Sequence, residues 1–136
     1  MNTKGFTLME ALVVIVIIGV LAILFLPSMQ DPIEKGRAKN AEFNLLAIHS
    51  AQKRYLLSER AYYLANQSIA LQNRVDAING NLSIKIDDQY FDYDIAAEGT
   101  SGYRARAVRK DGKCKNQQMS LTADNSTVNK QGCAAW

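Results

Sequence analysis

The sequence predicts an α+β fold in which a long amino-terminal α-helix packs on a small antiparallel sheet of three or four strands. Hydrophobic residues make up 48% of the 136, and many of them lie in one apolar run from Ala11 to Leu26, although the mean hydropathy is only −0.15. Beyond residue 87 the hydrophobic period changes from 3.6 to 2, which is the period of strands. These two patterns predict the helix and the sheet respectively.

The apolar run has the length of a membrane-spanning helix. Phe6 to Leu26 makes roughly 31 Å of helix at 1.5 Å per residue, and the hydrocarbon core of a bilayer is about 30 Å thick. A cleaved secretory signal is the alternative, but the run is longer than the apolar part of a signal, and Pro27-Ser28-Met29 is a poor cleavage site. The sequence therefore predicts a retained transmembrane helix over 6–26.

Glu10 is the anomaly in this segment. A carboxylate within a bilayer-spanning helix costs roughly 2.5–3.5 kcal/mol, and no Lys, Arg or His lies between Phe6 and Leu26 to pair with it. Either a partner comes from outside the helix, or Glu10 lies solvated in the headgroup region.

The segment Lys4-Gly5-Phe6-Thr7-Leu8-Met9-Glu10, followed by the apolar run, resembles the amino terminus of type IV pilins, which type II secretion pseudopilins share. The matching features extend from Gly5 to Pro27. The resemblance implies that residues 1–5 are a leader, that a prepilin peptidase cuts between Gly5 and Phe6, and that the same enzyme N-methylates Phe6.

The resemblance also implies roles in assembly. Glu10 is expected to pair with the new amine of Phe6 in a neighbouring subunit and so to set the axial register of the helices, although a pair within one helix stays open. Residues 6–26 are then the filament core. Gly19 and Pro27 resemble the positions that bound a stretch of helix that loosens in assembled pili.

Helical periodicity continues over 27–57, the predicted amphipathic half of one helix from about Phe6 to Leu57. Its apolar stripe consists of Ala38, Ala41, Leu45, Ile48 and Tyr55, with Gln52 inside it. The positions off the stripe are Glu42, Asn44, His49, Lys53 and Arg54. We expect His49 to be solvated. The residues that disfavour a continuous helix are Gly19, Pro27, Pro32 and Gly36.

Residues 58–136 are predicted to form a globular head, and its first part, 58–86, is predicted as a connector between helix and sheet. Ser68 is expected to cap a short helix that ends before Gly80. The residues that share one face of this helix are Leu71, Val75 and Ile78.

Period-2 patterns predict the sheet within 87–122. Over 90–95 the apolar side chains face one way and both aspartates the other, and over 103–107 the arginines face outward. The two glycines in 98–102 predict a hairpin loop between these strands. One face of the sheet is expected to pack on the apolar stripe of the helix.

Asp111-Gly112 is a tight-turn signal that leads into a third strand at about 114–122. Cys114 and Cys133 enclose 18 residues. A cysteine pair near the end of a membrane-anchored chain predicts a disulfide and an oxidising compartment, with two free thiols as the alternative. The carboxyl end also resembles that of type IVa pilins in the order of Tyr103, Ala105, Ala107, Cys114, Leu121-Thr122, Cys133 and Trp136.

Two signals conflict over the orientation of the span. Lys4 precedes it, whereas Lys35, Arg37 and Lys39 follow it, and a positive-inside count would place the carboxyl end in the cytoplasm. The cysteines and the family resemblance place the head in the periplasm. We adopt the second orientation, with a bacterial inner-membrane precursor and an extracellular pilus after assembly.

The sequence does not favour an enzyme, a cofactor or a metal site. With His49 as the sole histidine and both cysteines expected to be oxidised, no nucleophile and base are paired, and no zinc pattern or phosphate-binding glycine loop is present. Asp87 and Asp88 are a weak signal for Ca²⁺, which a turn also explains.

A nucleic-acid contact is the weaker interpretation of the basic segment 103–115, which holds six bases and one acid. Pairing of Asp92 and Asp94 with Arg104 and Arg106 across the hairpin would neutralise much of it. The lysines left for a DNA contact are Lys110, Lys113 and Lys115.

The sequence therefore predicts a structural subunit that polymerises with other copies into a type IV pilus, a helical surface fibre for motility, adhesion or DNA uptake. The resemblance implies a prepilin peptidase, an assembly platform and an assembly ATPase as partners. The alternatives are a minor pilin, a type II secretion pseudopilin and a monomeric membrane-tethered binding module in which Gly5 stays uncut.

Overall fold

The computed structural model describes residues 5–25, 30–66 and 68–136 and confirms the α+β class. The elements in chain order are the helices α1 (Leu8–Phe25), α2 (Gln30–Glu59) and α3 (Leu71–Leu82) and the strands β1 (Phe91–Glu98), β2 (Gly102–Arg109), β3 (Gln118–Thr122) and β4 (Asn125–Gln131). The chain divides into two compact units, Met1–Ile33 and Glu34–Trp136.

The first unit contains α1, which begins two residues after the predicted start of the span at Phe6. Leu26 and Pro27 lie outside the described residues, as does the join that an uninterrupted helix over 6–57 would need. Within the parts of the chain that the structure describes, no helix is both long enough and apolar enough to cross a membrane.

In the second unit the predicted apolar stripe of α2 forms the helical side of the hydrophobic core. The fully buried residues of this core are Ala38, Ala41, Leu45, Ile48 and Ala51 on α2, Ala65 in the connector, Ile78 on α3, Phe91, Tyr93 and Ile95 on β1, Tyr103, Ala105 and Ala107 on β2, and Met119 on β3. Tyr55 is half-buried at the edge, and Gln52 is buried. The Gln52 side chain donates to the Tyr63 carbonyl and accepts from the Tyr63 N–H, which satisfies both ends of a buried amide.

The prediction that His49 is solvated is wrong. His49 is buried, and its Nδ1 lies 2.8 Å from the hydroxyl oxygen of Tyr103 on β2. It lies next to Ile48, at the border of the apolar stripe, where the inward-facing strand β2 covers it. Burial lowers the pKa of His49 below its ordinary value, and the charge of Lys53 acts in the same direction.

The sheet is a four-stranded antiparallel meander in the order β1-β2-β3-β4. The β1–β2 register pairs Asp94 with Arg106 and Glu98 with Gly102, which confirms the predicted hairpin loop. Gly99 in this loop has a φ of +63°, a value that favours glycine.

The third strand begins at Gln118, four residues later than the expected start at Cys114. The intervening chain forms turns instead, because the backbone of Arg109 bonds to both Asn116 and Gln117 and so closes the loop before pairing starts. Gly112, with a φ of +78°, supplies the tight turn predicted at Asp111-Gly112.

The connector differs from its prediction at both ends of its helix. Ser68 does not cap α3, which starts at Leu71 without a side-chain cap; the Ser68 N–H and hydroxyl both donate to the Asn66 carboxamide oxygen. Gly80 lies inside the helix, which ends at Leu82 and is followed by Ser83 in a left-handed conformation. The prediction that Ile78 faces inward is confirmed, because this residue is fully buried.

The predicted disulfide joins Cys114 and Cys133, whose Cα atoms are 5.6 Å apart. It ties the loop that follows β2 to the chain that follows β4. Trp136 then packs on Phe91 of β1, with ring centroids 6.0 Å apart. The carboxyl end is therefore fastened to the sheet at two points.

Candidate functional site

The amino-terminal end of α1 holds the residues expected to be processed. Gly5 and Phe6 are exposed and precede the helix, so the peptide bond between them is not held in helical hydrogen bonds. Thr7 caps α1: its carbonyl accepts from the N–H groups of Glu10 and Ala11, and its hydroxyl oxygen lies 3.3 Å from the Glu10 nitrogen. The cap thus separates an accessible peptide bond from a regular helix.

Glu10 lies in the first turn of α1 and is exposed. A carboxylate at this position interacts favourably with the unpaired N–H groups of the helix start. Since no basic side chain lies between Phe6 and Leu26, a full counter-charge has to come from an amine near the amino terminus or from another molecule. The geometry fits the predicted role of Glu10 and does not distinguish these two sources.

The surface of α1 is apolar on every side. Its large hydrophobic side chains are 43% exposed at Val14 and up to 83% exposed at Leu8, and no direction around the helix is covered. A helix that is apolar all round is stable in a bilayer or among other apolar helices rather than in water. Gly19 leaves open space beside this surface.

On the head, the charges of the hairpin neutralise one another, as predicted. Arg106 Nε and Nη2 donate to the two carboxylate oxygens of Asp94 over 2.8 and 2.6 Å. Arg104 pairs with Glu98 rather than with an aspartate of the strand. The remaining aspartate, Asp92, forms an ion pair with Lys110.

The structure does not bring the three candidate DNA-contact lysines together as an unpaired cluster. The Lys110 Nζ lies 3.2 Å from Asp92, so the expectation that Lys110 stays unpaired is wrong. Lys113 is engaged as well. Lys115 is exposed in the loop that precedes β3. The surface around these lysines is therefore less positive, and less suited to binding phosphates, than the number of basic residues suggests.

Asp88 serves as a turn residue, as the simpler interpretation predicts. One of its carboxylate oxygens accepts from the N–H groups of Tyr90 and Phe91, and the other accepts from the Tyr93 hydroxyl over 2.6 Å. Asp87 is exposed. Among residues 5–25, 30–66 and 68–136, no three acidic, histidine or cysteine side chains are grouped as metal ligands.

A buried ion pair between α2 and β2 was not predicted from the sequence. Arg109 is fully buried at the end of β2, and Glu34 near the start of α2 is 3% exposed. The Arg109 hydrogen bonds lower the pKa of the Glu34 carboxyl, and burial opposes them. The alternation of β2 could have indicated that Arg109 is buried, because it places residue 109 on the same inward face as Tyr103.

The amino-terminal residues match the family model described as "Prokaryotic N-terminal methylation motif" over residues 1–26. The chain is also 41% identical over 66 residues to the type II secretion system core protein G of Escherichia coli and 33% identical over 82 residues to the type IV major alpha-pilin of Moraxella bovis. The matched motif and these relatives support the type IV pilin and type II secretion pseudopilin superfamily.

The relatives of this superfamily differ in how much of the chain they match. The similarity covers 48% of the chain and 46% of the Escherichia coli protein, and 60% of the chain and 52% of the Moraxella protein, so the chain spans about half the length of each. The fimbrial protein EcpC of Eikenella corrodens is 29% identical over 98% of the chain and 80% of its own length. No solved structure is significantly similar to the chain.

Proposed function

We propose that the chain is the structural subunit of a type IV pilus. The observation that carries this proposal is the surface of α1, whose apolar side chains are exposed in every direction around the helix. A helical fibre of identical copies covers such a surface without requiring another protein. The compact head, held by its disulfide, then forms the outer layer of the fibre.

The route to the fibre starts from an inner-membrane precursor with its head in the periplasm. A prepilin peptidase cuts the exposed bond between Gly5 and Phe6 and methylates the new amine of Phe6. That amine then pairs with Glu10 of a neighbouring copy, which fixes the axial register of the two helices. An assembly platform and its ATPase supply the work of extraction from the membrane.

A type II secretion pseudopilin is the second candidate, because the secretion protein of Escherichia coli has the higher identity, 41%. Two observations favour the pilus. The fimbrial relative matches 98% of the chain, whereas the secretion protein matches 48%. The head also ends in a disulfide-bounded segment, which resembles type IVa pilins. A minor pilin of the same fibre shares these features and differs in abundance.

The experiment is deletion and complementation in the bacterium that encodes the chain. Electron microscopy with antibodies against the head tests for surface fibres, and mass spectrometry of the mature protein identifies its first residue. Labelled fibres along their whole length, built from chains that start with N-methylated Phe6, are expected. Lost protein export with intact fibres identifies a pseudopilin, and label at fibre tips alone identifies a minor pilin.

The same mass measurement tests the remaining class, a monomeric membrane-tethered binding module. That class predicts an intact leader with Gly5 uncut and a protein that stays monomeric. A chain that starts at Met1, or that is cut beyond Pro27, refutes the pilus proposal. The Escherichia, Moraxella and Eikenella relatives carry the names of pilins or secretion-system core proteins rather than enzymes, which supports a structural role.

A further inference from the structure

The two edges of the sheet differ in how they are covered. On the β1 edge, the backbone of Ile95 exchanges two hydrogen bonds with that of Ala65 in the connector, and α3 packs on the same strand. On the other edge, β4 pairs with β3 and with no second strand of the described chain. Its residues are exposed except Val128, which is half-buried. A free edge of this kind presents a row of unpaired N–H and C=O groups that a further strand can bind.

The composition of β4 favours such pairing. The strand reads Asn-Ser-Thr-Val-Asn-Lys-Gln over 125–131, with no proline, no glycine and a single charged residue, Lys130. Short segments with low charge, no proline and few glycines are the ones that stack edge to edge, and carboxamide side chains add hydrogen bonds along the stack. The strand therefore offers the head a route to association through its sheet.

A second copy of the same strand is a suitable partner for this edge. Two β4 strands that run antiparallel around a two-fold axis at Val128 form a symmetric contact, in which the same residues are used by both copies. The facing pairs are then Asn125 with Gln131, Ser126 with Lys130, and Thr127 with Asn129. No two like charges face each other in this register, so cross-strand repulsion does not oppose it. The occupant that fits the free edge is therefore the β4 of another copy.

Lys130 is the residue that obstructs this pairing. It lies opposite Met119 of β3, which is fully buried, so Lys130 occupies an inward register position rather than one on the outer face. Its Nζ lies 3.1 Å from Glu42 Oε2 on α2, and the Nζ of Lys39 lies 3.0 Å from the other carboxylate oxygen. Hydrogen bonds from Lys130 and Lys39 lower the pKa of the Glu42 carboxyl below 4.5, so it is charged at neutral pH. An ionic cluster therefore lies between α2 and the free edge.

This cluster and the shape of the edge both oppose the addition of a strand. A further strand would remove Lys130 and Glu42 from water, and their side chains are now 37% and 19% exposed. The loss of hydration is costly for charged groups even when they are paired. The β3–β4 register also shifts between Ser120 and Thr122, and such an irregularity increases the twist of the edge. Inward charges and irregular edges are the means by which natural sheets stay separate.

We propose that the free edge of β4 is a strand-pairing surface for the β4 of a second copy, and that Lys130, held inward by Glu42, keeps this surface closed. The proposed fibre brings many heads close together, and strand pairing between heads would compete there with association through α1. The ion pair leaves α1 as the surface through which copies associate. The inference goes beyond the proposed function, because it concerns the head and holds whether or not the chain forms a fibre.

Dimerisation of the full chain in detergent tests the proposal. Lys130→Thr removes the charge and adds a residue that favours strands. Sedimentation equilibrium gives the dissociation constant of the dimer, and we expect it to fall at least about tenfold from the native value, because desolvation of the charge no longer opposes pairing. The matched control is Lys115→Thr, which removes the same charge from an exposed loop position outside the strand and should leave the constant within about twofold.

Amide hydrogen exchange shows whether the new contact lies at β4. In dimers of Lys130→Thr, we expect the β4 N–H groups that do not bond to β3 to exchange at least about tenfold more slowly than in the native monomer. Glu42→Gln tests the role of the carboxylate. It leaves Lys130 able to turn outward into water, so we expect a dissociation constant between those of Lys130→Thr and the native chain, and a native value contradicts the role of Glu42.

Two results overturn the inference as a whole: equal dissociation constants for folded Lys130→Thr and Lys115→Thr, or a dimer of Lys130→Thr in which exchange at β4 is no slower. The fluorescence of Trp136 reports whether each variant is folded. Where Lys130→Thr does not fold, Lys130→Gln gives the measurement, since it keeps the length of the side chain and removes its charge. These experiments use chains held in detergent, so their failure leaves the proposed function standing, whereas absence of fibres from the native chain refutes the proposed function alone.

Discussion

Glu34 and Arg109 form a buried ion pair that joins the start of α2 to the end of β2. The Arg109 Nε donates to Glu34 Oε1 over 2.6 Å and Nη2 donates to Oε2 over 3.2 Å. The remaining nitrogen, Nη1, donates to the Tyr90 carbonyl and to Asp111. Every nitrogen of a fully buried guanidinium therefore has a partner, which is the condition under which such a group is tolerated in a core.

We expect Glu34→Gln to lower the free energy of unfolding by about 3 kcal/mol, because it leaves a buried positive charge without its carboxylate. Urea unfolding of the full chain in detergent measures this, with the fluorescence of the single tryptophan, Trp136, as the probe. The matched control is Glu42→Gln, which removes ion pairs to Lys39 and Lys130 nearer the surface and should cost less than about 1 kcal/mol.

A double variant separates the charge from the packing at the same site. Glu34→Leu with Arg109→Leu removes both charges, and we expect it to be within about 1 kcal/mol of the native chain, since apolar residues often replace a buried pair without loss. If Glu34→Gln and Glu42→Gln lower the free energy of unfolding equally, the buried pair contributes no more to stability than the pairs nearer the surface.

His49 gives the head a pH dependence. Its folded-state pKa lies below the ordinary value of 6.5 because the ring is buried against Tyr103 and near Lys53. The unfolded chain therefore binds a proton at His49 more readily than the folded chain does. The contribution of neutral His49 to stability is fully present above about pH 6.5. Below that pH the free energy of unfolding falls by at most about 1.4 kcal/mol per pH unit. Unfolding free energies at pH 7.5, 6.0 and 5.0 measure the slope.

The control for this prediction is His49→Asn, which keeps a polar group near Tyr103 but does not titrate. This variant should show a flat stability between pH 7.5 and about 5. The carboxyls of Glu34 and Glu42 have pKa values lowered from 4.5 by their cationic partners, so both proteins lose further stability at lower pH. The same slope in both proteins above pH 5 would assign the effect to other groups.

The disulfide is expected to stabilise the head by about 3 kcal/mol, because it closes a loop with a sequence separation of 19 in the unfolded chain. Reduction of the native chain and the Cys114→Ala, Cys133→Ala variant should lower the free energy of unfolding by similar amounts. Amide hydrogen exchange should rise most in β4, the edge strand that precedes Cys133. If complete reduction changes neither the free energy of unfolding nor the amide exchange of β4, the disulfide does not stabilise the head.

The parts of the head that follow local patterns could be predicted from the sequence. Alternation alone placed Phe91 and Tyr93 in the core, and the glycine-containing loop fixed the β1–β2 register. The apolar stripe of α2 was predicted for the same reason, since its 3.6-residue period is a property of the helix itself. In each case the deciding information lies within a few residues of the position.

The buried pair that was not predicted, and the wrong prediction for His49, both involve a partner that is distant in sequence. Arg109 is buried because Glu34, 75 residues away in sequence, reaches it, and His49 is buried because Tyr103 of β2 covers it. The alternation of β2 indicates that residue 109 faces inward, but no local pattern identifies Glu34 or Tyr103 as the partner. Ser68 failed as a cap for a local reason, since the nearer Asn66 oxygen accepts its N–H and hydroxyl. The amino-terminal motif, in contrast, is readable because the residues that match the family model are contiguous in the sequence.

Glu10 provides the sharpest test of assembly, because it is the one ionisable side chain of α1. We expect Glu10→Gln to abolish fibres while leaving cleavage after Gly5 intact. The amide keeps the size and polarity of the side chain but cannot supply the charge that answers the amine of Phe6 in a neighbour. Fibre yield is measured by shearing, and cleavage by the mass of the mature chain.

The matched control is Glu59→Gln, which removes an exposed carboxylate at the far end of α2 and should leave both measurements unchanged. Glu10→Asp distinguishes charge from reach: it keeps the carboxylate on a shorter side chain, so we expect partial fibre yield between those of Glu10→Gln and the native chain. If Glu10→Gln assembles as well as the native protein, the carboxylate is a solvated group of the helix start, and register in the fibre must come from packing of the apolar side chains that α1 exposes.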